Sequence, residues 1–163
     1  RGAYDHAARV VVHARRGLQR VGRRDDVAGR VVGVRRPAVT EPRARVVAMA
    51  NMGDSPELML NAPVPAARKV LEKAGLKTSD IDLWEINEAF AVVSEKFVRD
   101  LDLDRDKVNV NGGSIALGHP IGATGAILIG TVLDELERQN KQFGLVTMCA
   151  AGGMAPAIII ERI

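Results

Sequence analysis

The sequence predicts an α/β domain in which a mixed β-sheet is layered with α-helices. Segments with strand character alternate with segments whose apolar residues recur at three- and four-residue spacings, the alternation expected of a layered α/β sheet. The last two apolar runs, Phe143 to Met148 and Ala155 to Ile160, are separated only by a short connection containing Gly152 and Gly153, so they read as a tightly joined strand pair. That closing pair makes the sheet mixed rather than purely parallel.

Taken in order, Arg43 to Met49 is β-like, with Val46 and Val47 at its centre. Pro63 to Ala74 reads as a helix whose buried face carries Val64, Ala67, Val70 and Leu71, stopped by Gly75. Ile81 to Ile86 is a short strand bounded by Ser79 and Asp80. Glu88 to Leu101 is the next helix, with Phe90, Val93, Phe97 and Leu101 on one face. Val108 to Val110 is a further strand candidate. Gly122 to Glu137 is a helix with a buried stripe of Ala126, Ile129, Leu133 and Leu136.

Residues 1–41 differ in kind. They contain ten Arg against four acids and no Lys, Ile, Ser, Asn, Phe or Met, and their valine runs keep neither a helical nor a strand period. From Pro42 the usage becomes balanced, so a boundary is placed there: an Arg-rich segment 1–41, expected to be poorly ordered, and a domain 42–163.

The charge balance excludes one function class. The whole chain carries a formal charge of +3, but residues 42–163 hold thirteen basic residues against sixteen acids, so the body offers no stripe for a phosphate backbone and no nucleic-acid partner is expected. No apolar run approaches the roughly 18 residues needed to span a bilayer. With a single cysteine and no signal-like N-terminus, a reducing cytoplasm is the expected setting.

Three residues of the body stand where chemistry is plausible. Cys149 ends an apolar run just before Gly152 and Gly153, glycines that let a turn aim main-chain amides at a small site. A lone buried cysteine is more often a small core hydrophobe, and it is the glycine turn that points this one toward chemistry. His119, the only histidine of the body, lies between Gly118 and Pro120 ahead of a helix, with a structural role as its alternative. Asn87 follows a strand and precedes a helix, where an amide either caps the helix or donates to an oxyanion. Other patterns fail. Asp102, Asp104 and Asp106 open like a calcium loop, but Lys107 and Gly113 occupy the positions that need glycine and glutamate. The glycines from 112 to 125 form neither a P-loop nor a dinucleotide fingerprint. Cys149 and His119 do not complete a zinc site, and no metal is expected.

Three segments in this order resemble one family: Asn87-Glu-Ala-Phe, Gly112-Gly-Ser-Ile-Ala-Leu-Gly-His-Pro-Ile-Gly-Ala-Thr-Gly and Cys149-Ala-Ala-Gly-Gly are similar to segments of thiolases, and the resemblance covers the C-terminal domain of the family. It implies a thiolase-like C-terminal fold and an acetyl-CoA C-acyltransferase that joins or thiolytically cleaves 3-ketoacyl-CoA and acetyl-CoA, as in fatty-acid β-oxidation. Coenzyme A thioesters are then substrates and no resident cofactor is required.

By the same resemblance, Cys149 is the cysteine that moves the proton on the acyl α-carbon. His119 activates the acyl-accepting cysteine and helps bind the thioester oxygen. Asn87 holds the water of that oxyanion hole, and Phe90 lines the acyl pocket. The main-chain amide of Ala151 contributes to a second oxyanion hole; many thiolases have glycine there, which puts the turn geometry in question.

Thiolases also use a second cysteine, on their N-terminal domain, as the nucleophile, and this chain has only Cys149. The expectation is therefore an incomplete catalytic apparatus, inactive alone, whose partners are acyl-CoA, CoA and the missing N-terminal domain or a full-length subunit, with the homo-oligomeric habit of the family. The alternative is a non-catalytic thiolase-like module that binds acyl-CoA or docks to a full-length subunit. For residues 1–41 the expectation is a shifted reading frame: GC-rich codons for His13-Ala-Arg-Arg-Gly-Leu-Gln-Arg-Val-Gly, read one base later, encode Thr-Pro-Ala-Ala-Gly-Ser-Asn-Ala-Ser-Gly, similar to a thiolase segment upstream of this domain.

Overall fold

The computed structural model describes residues 42–163. The expected disorder of residues 1–41 lies outside that range. The described chain runs β1 (Ala44–Gly53), α1 (Pro63–Ala74), β2 (Leu83–Ile86), α2 (Ala91–Leu101), α3 (Ser114–Leu117), α4 (Thr124–Arg138), β3 (Phe143–Thr147) and β4 (Met154–Arg162). The four strands form one mixed sheet in the order β1-β4-β3-β2. β4 pairs antiparallel with both β1 and β3, whereas β2 and β3 are parallel, with Ile86 opposite Thr147.

Strand alternation sends side chains to two helical layers. Trp84, Ile86, Leu145 and Ile159 face α1 and α2, where they meet Val70, Val93 and Phe97. Leu83, Val146 and Ile160 face α4, against Leu128, Val132, Leu133 and Leu136. Trp84 and Phe97 anchor the first layer edge to face, with ring centroids 5.9 Å apart. The domain is thus a three-layer α/β/α sandwich.

Helix α1 spans the residues expected, and Gly75 ends it at φ 69°, the left-handed cap that glycine adopts without steric cost. Three expectations need correction. Helix α2 begins at Ala91, not Glu88, because the side chains of Asn87 and Glu88 are engaged by a distant loop; Phe90 is its extended N-cap, 58% exposed, and leaves the buried face to Val93, Phe97 and Leu101. The buried stripe of α4 is rotated: Ala126 is exposed and Ile129 half-buried, while Leu128 and Val132 are buried with the expected Leu133 and Leu136. Apolar residues surround this helix, so the sequence period leaves its phase open and packing on the sheet chooses it. Val108 to Val110 forms no strand, only a single parallel bridge from Val108 to Trp84, since Asn109 turns to φ 47°.

Candidate active site

Parallel pairing of β2 and β3 places the residues that follow them side by side, at the carboxyl ends of neighbouring strands, the usual location of sites in α/β sheets. Asn87 follows β2, and its main-chain N–H donates to the Thr147 carbonyl at 3.0 Å. Cys149 follows β3 by two residues. The strand ends therefore bring Asn87 and Cys149, distant in sequence, to one end of the sheet.

His119 reaches Asn87 from the loop between α3 and α4. Its Nε2 lies 3.3 Å from Asn87 Nδ2, and its Nδ1 lies 2.8 Å from Thr124 Oγ1 in the first turn of α4. At the other end of the amide, the Ser114 hydroxyl donates to Asn87 Oδ1. Asn87 is fully buried and its amide is committed to these side chains, so it does not cap α2.

The loop carrying Ser114 and His119 is held on two sides. The side chain of Asn109 docks on the outer edge of β2, and its Nδ2 also donates to Glu88 Oε1 at 3.0 Å. The other Glu88 oxygen accepts from the Ile115 N–H at 3.2 Å. A side chain at Gly113 would overlap that carboxylate, so glycine permits the clamp. On the opposite side, Asn111 Nδ2 donates to Glu135 Oε2 of α4 at 2.8 Å. Burial pushes the Glu135 carboxyl up, but donors from Asn111, Arg138 and Gln139 outweigh it and hold the group near 2.

Glu85 lies on the same side of β2 as Leu83 and is only 2% exposed. Loss of hydration, with repulsion from Glu88 and Glu135, pushes its carboxyl up to about 8.

Cys149 is half-buried and packs against the Trp84–Phe97 layer. Burial pushes its thiol above the ordinary cysteine value. No hydrogen bond joins it to His119 or Asn87 among the described residues. The turn beyond it closes through Ala150 and Met154, with Ala150 N donating to Met154 O at 2.7 Å. The left-handed positions of that turn are Gly152 and Gly153, at φ 79° and 80°, and Ala151 is not among them, so alanine suits the turn as well as glycine does. Ala151 is exposed. Gly153 also abuts the segment after β1: a Cβ there would sit 2.6 Å from the Asp54 carbonyl oxygen.

The structure thus joins Asn87 and His119 directly and sets Cys149 on the adjacent strand end, with Phe90 on the surface at the start of α2. Sequence reasoning did not single out Ser114, Thr124, Asn109 or Glu88 as parts of this arrangement. Ser114 and Thr124 lie within the glycine-rich segment that carries His119, but hydroxyls leave no spacing signature.

Comparison with known proteins follows this geometry. The family described as "Thiolase, C-terminal domain" matches residues 40–162. A 3-ketoacyl-CoA thiolase of Klebsiella pneumoniae is 48% identical over 126 residues, which is 76% of this chain and 33% of that protein. A steroid 3-ketoacyl-CoA thiolase of Mycobacterium tuberculosis is 52% identical over 122 residues, 75% of this chain and 30% of its own length. The crystal structure of the Bacillus anthracis acetyl-CoA acetyltransferase superposes with a TM-score of 0.74 at 45% identity, covering 76% of this chain and 31% of that one. The chain spans about a third of the length of the curated relatives it matches.

Proposed function

Because this chain belongs to the thiolase family, whose C-terminal domain it contains, we propose that residues 42–163 supply the proton-transfer and oxyanion half of an acyl-transfer site acting on coenzyme A thioesters. The observation that carries this reading is the direct Asn87–His119 contact at the end of the strand next to the one that delivers Cys149.

In the condensing direction, the Cys149 thiolate takes a proton from the α-carbon of an acetyl-CoA thioester. The electron pair of that C–H bond moves into the thioester carbonyl, making an enolate whose oxygen is met by a water held at Asn87 and by His119 in its imidazolium form. A thioester α-proton is weakly acidic, so a thiol whose basicity is raised by burial suits the step. The enolate carbon then attacks an acyl group carried as a thioester on a second cysteine, which leaves as thiolate. The main-chain N–H of Ala151 serves the tetrahedral oxygen of that exchange. Thiolysis reverses the sequence, with His119 Nε2 accepting the proton of the incoming thiol. Phe90 offers exposed apolar surface for the acyl chain.

The 163 residues contain a single cysteine, so the nucleophile of this scheme belongs to a further polypeptide or segment, and acyl-CoA, CoA and that thiolase portion are the proposed partners. Self-association of the kind expected for the family is part of the same reading. No helix among the described residues is long and apolar enough to cross a membrane; residence in the cytoplasm is proposed. The Arg-rich residues 1–41 are proposed to be a frame-shifted reading, which sequencing of the locus tests: one intact frame with uniform third-position base usage across residue 41 would refute it.

The decisive experiment is deuterium exchange into the methyl group of acetyl-CoA in D2O, read by mass spectrometry with the 163-residue chain alone. The expected result is exchange above the buffer rate, lost in Cys149→Ala. Binding of acetyl-CoA without exchange would instead favour an acyl-CoA-binding module, a reading that the single cysteine also fits. Full thiolysis by the chain alone would overturn the division of labour between two cysteines.

A further inference from the structure

The hydroxyl of Thr124 has one proton, and its geometry decides where that proton goes. Thr124 Oγ1 lies 3.0 Å from the Pro120 carbonyl oxygen, which can only accept, and 2.8 Å from His119 Nδ1. With its proton donated to Pro120, Thr124 accepts from Nδ1–H. Neutral His119 then carries its lone pair on Nε2, opposite the N–H of Asn87, and the Asn87 oxygen accepts from Ser114. Donation runs one way along the chain Ser114, Asn87, His119, Thr124, Pro120.

The reverse polarity is poorer. If Thr124 donated to Nδ1, Nε2–H would face the Asn87 oxygen after an amide flip, and the Asn87 N–H would face Ser114. The link to Pro120 would be lost with nothing gained, leaving three hydrogen bonds where the first polarity has four. Removing Ser114 takes one bond from either polarity and leaves the preference standing. Removing the Thr124 hydroxyl takes two bonds from the first polarity and one from its reverse, and it leaves Nδ1–H facing a buried side chain that cannot accept it, which costs more than leaving a lone pair there.

We infer that Thr124, 3% exposed at the start of α4, is a positioning residue that selects the tautomer of His119 and so makes Nε2 the basic nitrogen of the site. Its consequence for catalysis rests on the thiolase reading: Nε2 is the nitrogen beside Asn87, whereas a base at Nδ1 would be turned toward α4.

The test is a long-range 1H–15N correlation spectrum of the full chain labelled in histidine, recorded without substrate above the titration range of the imidazole. His119 is distinguished from His6 and His13 by the signal lost in His119→Gln. The expected wild-type pattern is a protonated Nδ1 and an unprotonated Nε2, retained in Thr124→Ser and Ser114→Ala and switched to Nε2–H in Thr124→Val. Nε2–H in the wild type overturns the inference on its own, even if Thr124→Val does not fold. So does an unchanged tautomer in a folded Thr124→Val, or a switch in Ser114→Ala. Because no substrate is present, this result and the exchange assay fail independently of one another.

Discussion

The main chain of Ile86 is bonded on both of its polar groups by one side chain, that of Asn109: Ile86 N donates to Asn109 Oδ1 at 2.8 Å, and Asn109 Nδ2 donates to the Ile86 carbonyl at 2.9 Å. The amide takes the place of a strand peptide on the outer edge of β2, which has no strand partner on that side among the described residues. Asn109 N completes the mimicry by donating to the Trp84 carbonyl at 2.8 Å. A sheet edge is closed in this way by a loop that goes on to carry Ser114 and His119.

Substitution of Asn109 is therefore expected to destabilise the domain and loosen the His119 loop together. Asn109→Gly keeps access to φ 47° but leaves two main-chain groups of Ile86 unpaired, a cost of about 1–3 kcal/mol. Asn109→Ala adds the left-handed penalty, roughly 1–2 kcal/mol more. Urea unfolding of both variants measures the order, and equal stability of Gly and Ala would contradict the conformational part of the account.

Gly113 and Glu88 are expected to be coupled. Gly113→Ala forces the Glu88 carboxylate away from Asn109 and from Ile115 N–H, so it is expected to cost about 1–3 kcal/mol in the native background. In a Glu88→Ala background the same change meets no carboxylate and costs little. A double-mutant cycle by chemical unfolding checks this, and additive effects would mean the overlap is relieved elsewhere.

Glu85 gives the domain a pH dependence of unusual sign. Its folded-state value, near 8, lies above its ordinary value of 4.5, so the folded protein holds a proton there that the unfolded chain releases. The stabilisation from that proton is complete below pH 4.5 and is lost as pH rises toward 8, with a limiting slope of about 1.4 kcal/mol per pH unit. Glu85→Gln, which stays neutral, is expected to be more stable than wild type at pH 8 and to lose this slope. Unfolding curves between pH 5.5 and 8.5 measure it, and parallel profiles for the two proteins would show that Glu85 is ionised in the fold.

Because the chain has one cysteine, its thiol chemistry is read without interference. Burial raises the Cys149 value, so alkylation by iodoacetamide near neutral pH is expected to be slower than that of an unfolded control and to rise with pH beyond the ordinary cysteine range. In an enzyme completed with the nucleophilic cysteine, Cys149→Ala and His119→Ala are expected to lower turnover by several orders of magnitude. Asn87→Ala is expected to cost on the order of 10²-fold, the effect of one lost oxyanion donor. A loss confined to acyl-CoA affinity in Asn87→Ala would contradict its role.

Local chemistry settled much of this domain. Gly75 had to end a helix, the strands alternate as their apolar residues dictate, and the tight β3–β4 connection was readable from its glycines and the two apolar runs that flank it. Cys149, His119 and Asn87 stood out as candidates because each sits beside glycine, proline or a strand end, where backbone constraint is written into the sequence. Other features depended on partners far along the chain. The phase of α4 followed from the sheet it covers, since a helix apolar on most sides carries no phase of its own. The start of α2 moved to Ala91 because Asn87 and Glu88 were claimed by residues more than twenty positions away. The direction of the hydrogen-bond chain through His119 was decided by whether the Thr124 proton is free or spent on Pro120. That is a matter of where atoms meet in space, and spacing along the sequence does not encode it.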